Sequence, residues 1–154
     1  MKGATVAAAA PTRIWVVAAD AARARIFRAA RADGGLTEIE DLLNPDVRDE
    51  RALHADRLGH APDATHGGGH SLQRNATEDR QVAADFGKTL ARRLVAARKR
   101  GQFDRLYLLA EPRLLGVVRD GLDAPTLRLV AGELDKDLTR QGAATIRARL
   151  PKRL

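Results

Sequence analysis

The apolar residues change their spacing partway along the chain. Ile14-Trp-Val-Val-Ala-Ala19 is a continuous, largely β-branched run, the pattern of a strand buried on both faces at the centre of a sheet. Arg23 to Arg28 and Leu36 to Leu42 instead alternate polar and apolar residues, as strands with one wet face do. The link Ala21-Ala22 and the turn signal Asp33-Gly34-Gly35 join them into an antiparallel meander. Beyond residue 75 the period becomes helical: Val82, Phe86, Leu90 and Leu94 recur every four residues.

Asn75-Ala-Thr-Glu78 reads as a capping box, so the spacing predicts a helix from about Thr77 to Arg100, ended by Gly101. Arg105 to Ala110 reads as a buried strand, and Pro112 opens a helix through about Arg119. A last strand falls within Leu127 to Leu134, and a terminal helix covers Ala143 to Leu150. The order is β-β-β-α-β-α-β-α. Helical crossovers make the fourth and fifth strands parallel to the first, so the expected fold is α/β with a mixed five-stranded sheet, the order found in ribonuclease-H-like domains.

At 154 residues the chain fits one domain, read here as residues 13–154 behind a frayed tail of residues 1–12. That tail is Ala-rich but too weakly apolar for a signal peptide, and no window approaches the roughly 18 to 20 apolar residues of a membrane span. With no cysteine, disulfides, thiolate zinc sites and cysteine nucleophiles are excluded, which fits a reducing, cytoplasmic setting. Aromatics are only 3%, so Leu, Val, Ile and Ala must build the core. The 27 basic residues against 20 acidic give a net charge of +7, which raises a polyanion such as RNA as a partner.

Residues from about 44 to 74 hold Pro45, Pro62, all four histidines and Gly67-Gly68-Gly69, with too few spaced apolar residues for a core element. Such a long loop is either functional or unstructured. His54, His60, His66 and His70, with Asp56 and Asp63 among them, are candidate zinc or nickel ligands, although their spacing matches no known finger and a flexible loop loses entropy in gathering them. His66 and His70 are also candidate general bases, with Ser71 the one adjacent nucleophile. Asp20, Glu111 and Asp135 are expected at the carboxyl ends of mutually parallel strands, where a two-metal nuclease would place its carboxylates. Each has a plainer reading: Asp20 as a hairpin turn, Glu111 as a helix start before Pro112, and Asp135 as part of the turn-like cluster Asp135-Lys136-Asp137-Leu-Thr139, whose side chains would cap the final helix. Arg74, Arg80, Arg92 and Arg93, beside the loop and on the long helix, are candidate phosphate contacts. The few aromatic residues offer no stacking platform, so backbone or shaped RNA is the expected target.

Trp15-Val-Val-Ala-Ala-Asp-Ala-Ala-Arg-Ala-Arg-Ile-Phe27, the glycine and histidine loop, Phe103-Asp-Arg-Leu-Tyr-Leu-Leu-Ala-Glu-Pro-Arg-Leu-Leu-Gly116 and Gly132-Glu-Leu-Asp-Lys-Asp-Leu-Thr139 together resemble the bacterial proteins required for attachment to host cells, over about residues 13–150. More distantly, the layout is similar to the middle domain of archaeal and eukaryotic class I release factors. There the resemblance implies a Gly-Gly-Gln loop that helps water attack the peptidyl-tRNA ester. Here the matching place is Gly68-Gly69-His70-Ser71, and an imidazole cannot offer the glutamine's amide donor and acceptor. The resemblance thus implies a domain with little or no catalysis, needing no cofactor, that contacts the ribosome or structured RNA through Gly68, Gly69, His70 and Ser71. A metal-dependent nuclease or hydrolase and a protein-interaction module are the alternatives.

Overall fold

The computed structural model describes residues 12–47 and 69–154. Within them run β1 (Ile14–Ala19), β2 (Arg23–Ala29), β3 (Leu36–Leu43), α1 (Gly69–Lys99), β4 (Arg105–Ala110), α2 (Pro112–Gly121), α3 (Ala124–Leu127), β5 (Val130–Leu134) and α4 (Ala143–Ala148). The sheet order is β3-β2-β1-β4-β5. β1 pairs antiparallel with β2 and parallel with β4; β2 pairs antiparallel with β3 and β4 parallel with β5. The expected α/β class and mixed five-stranded sheet are therefore observed, with the unbroken apolar run of β1 buried along its whole length at the centre.

Because side chains alternate across a strand, β1 feeds two cores. Trp15, Val17 and Ala19 face the helices α1 and α2, meeting Phe86, Leu90, Leu94, Phe103, Leu114 and Val118. Ile14, Val16 and Ala18 face the other way, with Phe27, Tyr107, Leu109, Leu138, Ile146 of α4 and Leu154. Trp15 and Phe103, with ring centroids 5.1 Å apart, close the first core near its end.

Two sequence expectations are corrected. The long helix begins at Gly69 and not near Thr77, so the capping-box residues Asn75 to Glu78 lie inside it. Nothing from Ser71 to Arg74 breaks a helix, and a cap signature stops one only where the chain upstream turns away. The short α3 was not foreseen; Asp123 caps it by accepting from the Thr126 N–H at 3.0 Å, and Pro125 pre-sets its first turn. Most of the expected loop at 44–74 lies outside the described residues. At its near end, Asn44 is buried and holds β3 to the β1–β2 turn, its amide donating to the Ala21 carbonyl at 2.8 Å and its backbone N–H to that of Ala22 at 2.8 Å.

The far end of α1 follows its sequence closely. Gly101 takes φ +68°. The N–H of Gln102 donates to the Ala97 carbonyl (3.0 Å) and that of Gly101 to Arg98 (2.8 Å), the paired bonds of a Schellman motif. α1 and α2 pack at glycines: a Cβ on Gly87 would lie 2.8 Å from Val117 Cγ1, and one on Gly121 would lie 2.7 Å from Ala91 Cβ.

Candidate functional site

Since β1, β4 and β5 are parallel, Asp20, Glu111 and Asp135, each one residue past its strand, do fall at one edge of the sheet. Their side chains are not gathered there. Asp20 Oδ1 accepts from the N–H groups of Ala22 (2.7 Å) and Arg23 (2.8 Å), which makes it the organiser of the β1–β2 turn. The Thr139 hydroxyl lies between Asp20 Oδ2 (2.7 Å) and Asp137 Oδ1 (2.6 Å), with one proton to give to either. Glu111 caps α2, accepting from the Leu114 N–H at 3.1 Å. Asp135 is exposed. Among the described residues no three His, Cys, Asp or Glu side chains come together as a metal site, so the expected two-metal carboxylate cluster is not formed by these residues. Their ordinary roles in turn and cap account for the first two.

The same edge is fastened by Arg25. It meets Glu38 through two bonds of 2.8 and 3.0 Å, donates to the carbonyls of Thr139 (2.9 Å) and Gln141 (2.6 Å), and lies 4.9 Å above the Phe27 ring. The hydrogen bonds from Arg25 hold the Glu38 carboxyl below its usual range, and Glu38 in turn raises Arg25. The Thr139 to Gln141 segment is thus tied to the hairpin by an arginine and a shared hydroxyl, an arrangement that serves structure.

Of the histidines, His54, His60 and His66 lie outside the described residues, as does Gly68. Gly69, His70, Ser71 and Arg74 belong to the first turns of α1. Further along, Arg80 and Arg92 are exposed, Arg92 making a long 3.4 Å contact to Thr89 Oγ1. Arg93 differs from them: it is half-buried, makes two 3.1 Å bonds to Glu40 of β3 and lies 5.6 Å above the Trp15 ring. Its charge is matched inside the fold, which removes it from the expected phosphate contacts. Arg98 is likewise engaged, with Thr126 Oγ1 at 2.8 Å and Asp123 at 3.3 Å. Bonds from Thr126, then the Arg98 charge, hold the Asp123 carboxyl below its usual range.

From Lys88 to Arg100 α1 and its cap carry no acidic residue. Lys88, Arg92 and Lys99, at spacings that return to one helix face, are exposed there and pair with no carboxylate among the described residues. Asp85, one turn earlier, accepts from Gln81 Nε2 at 2.9 Å. Sequence reasoning did not single out Lys88 or Lys99 as candidate contacts. It also passed over Arg113, which shares a cleft with Arg80 between α1 and α2 and which reads in sequence only as the residue after a helix-opening proline.

The chain resembles two archaeal proteins of known structure. One is a translation termination factor, with 13% identity and a TM-score of 0.47, the match covering 91% of this chain and 35% of the factor. The other is described only as an archaeal protein, with 12% identity and a TM-score of 0.41, covering 89% and 34%. The chain therefore spans about a third of each of these longer proteins. No curated protein sequence matches it. Among the described residues no helix is long and apolar enough to cross a membrane. The family model for the protein required for attachment to host cells matches residues 15–150, well over half of the chain, and the chain belongs to that family.

Proposed function

We propose that this host-attachment family protein is a cytoplasmic, non-catalytic module that contacts the ribosome or structured RNA through α1 and the Gly68-Gly69-His70-Ser71 stretch at its start. The observation that carries the reading is the basic face of α1. Lys88, Arg92 and Lys99 stand exposed on one side of the helix without a carboxylate partner among the described residues, on a chain of net charge +7. Phosphate binding needs such clustered and uncompensated charge, and charges already paired within the fold contribute little to it. The non-catalytic half rests on His70 standing where a glutamine would be required, and on Asp20 and Glu111 being occupied in a turn and a cap.

Co-sedimentation with ribosomes at low and raised salt tests it. The wild type should pellet with ribosomes at low salt and be released as salt rises, Lys88→Glu with Arg92→Glu should weaken the association, and no peptide should be released from loaded ribosomes. Efficient release, lost in His70→Ala, would overturn the non-catalytic reading. Absence of any ribosome or RNA association would overturn the other half. The protein-interaction module would then be preferred, for which β3 offers a surface: it is an edge strand, with Leu43 70% and Ile39 44% exposed.

A further inference from the structure

We propose that the cleft between α1 and α2 is a subsite for a backbone phosphate of structured RNA, held by Arg80 and Arg113; this rests on the RNA-contact reading above and gives it a location. The cleft encloses about 320 Å³. Arg80 lines it from α1 and Arg113 from the first turn of α2, while Ala83, Ala84, Leu114 and Val117 supply apolar walls. It is open because of side-chain size. At Gly87 the two helices are in contact, but one turn earlier on α1, Ala83 and Ala84 present only methyl groups toward α2.

The charge balance of the cleft selects the ligand. Arg80 and Arg113 take part in none of the ion pairs formed among the described residues, and unlike the other unpaired arginines, such as Arg92, Arg128 and Arg149, both line this cleft. A guanidinium presents a planar fork of donors that fits phosphate oxygens two at a time. The start of α2 adds the positive end of a ten-residue helix. One carboxylate, Glu111, also lines the cleft, but it accepts the Leu114 N–H and so is partly offset. The volume is at the low end for a small-molecule pocket, enough for a phosphodiester and part of its sugar. Lys88 and Arg92 follow on the same helix, so a backbone seated in the cleft would have further contacts along α1.

The test is fluorescence anisotropy with a labelled RNA hairpin of about 16 base pairs, a length that offers a folded RNA-binding domain successive grooves. Arg80→Ala with Arg113→Ala is compared against a charge-matched control, Arg128→Ala with Arg149→Ala, two exposed arginines outside the cleft. The cleft variant should bind about tenfold more weakly and lose about two from the slope of log affinity against log salt, while the control changes by about twofold or less. Glu111→Gln should bind more tightly than the wild type. Thermal unfolding of both double variants should match the wild type, since the side chains of neither pair make a hydrogen bond or ion pair among the described residues. If the cleft and control variants weaken equally, the cleft is not the subsite and the broader RNA reading stands. If the wild type does not bind the hairpin at any salt, both readings fall together.

Discussion

Replacing Gly121 with alanine should loosen the seam between α1 and α2. The new Cβ would lie 2.7 Å from Ala91 Cβ, and apolar carbons pack at about 3.5–4.0 Å, so the helices must separate by roughly 1 Å. Ala91 is fully buried and its methyl is fixed to the backbone, so no rotamer change relieves the contact. Alanine in place of a helical glycine gains up to about 1 kcal/mol in propensity, and less at Gly121, the last residue of α2. Overpacking costs about 1–3 kcal/mol. The balance is a loss of about 1 kcal/mol, or about 2–4 °C in Tm for a domain of this size, read by urea and thermal unfolding. A double-mutant cycle isolates the contact: with Ala91→Gly in place, Gly121→Ala should become neutral or stabilising, a coupling of about 1–2 kcal/mol. If Gly121→Ala stabilises the otherwise unaltered protein by its full propensity gain, the helices do not meet there and the geometry assigned to the neighbouring cleft is wrong.

Three further outcomes follow from the geometry. Gly101→Ala, at φ +68° in the Schellman cap, should destabilise by about 1 kcal/mol in denaturant titration, and Gly101→Asn by less. Arg25→Ala removes two bonds to Glu38 and leaves the carbonyls of Thr139 and Gln141 without their donor; a loss of about 2 kcal/mol is expected, with hydrogen exchange accelerated first in residues 138–142. Acid should destabilise the fold through carboxylates held below their usual range, Glu38 by its hydrogen bonds from Arg25 and Asp104 by the Arg13 backbone N–H. Their contribution is complete above the ordinary carboxylate range near pH 4 and is lost as pH falls through the lower folded values, so stability measured from pH 5 downward should decline less steeply in Glu38→Gln.

The sheet was legible in sequence because each strand carries its burial in its pattern: β1 without alternation, β2 and β3 with it, β4 as an apolar run. Pro112 and Gly101 marked helix ends correctly because their constraints are local to the backbone. The start of α1 was not legible, since Asn75 to Glu78 satisfies a cap pattern equally well inside a helix. α3 spans four residues, too few to show a period. The pairing of Arg93 with Glu40, distant in the chain, and the helix contacts at Gly87 and Gly121 are tertiary facts with no local signature. Asp20 was placed correctly at the sheet edge, yet what engages it, Thr139, comes from the far end of the chain.

The reading as an RNA-contacting module rests on electrostatics, and its most direct test is the salt dependence of ribosome association. Measured by co-sedimentation across a salt series, log affinity should fall linearly with log salt, with a slope of magnitude about 3 or more if Arg80, Lys88, Arg92 and Arg113 each displace a counterion. Lys88→Glu with Arg92→Glu should reduce both affinity and slope. Association that does not change with salt, or that survives these substitutions with an unaltered slope, would contradict the account.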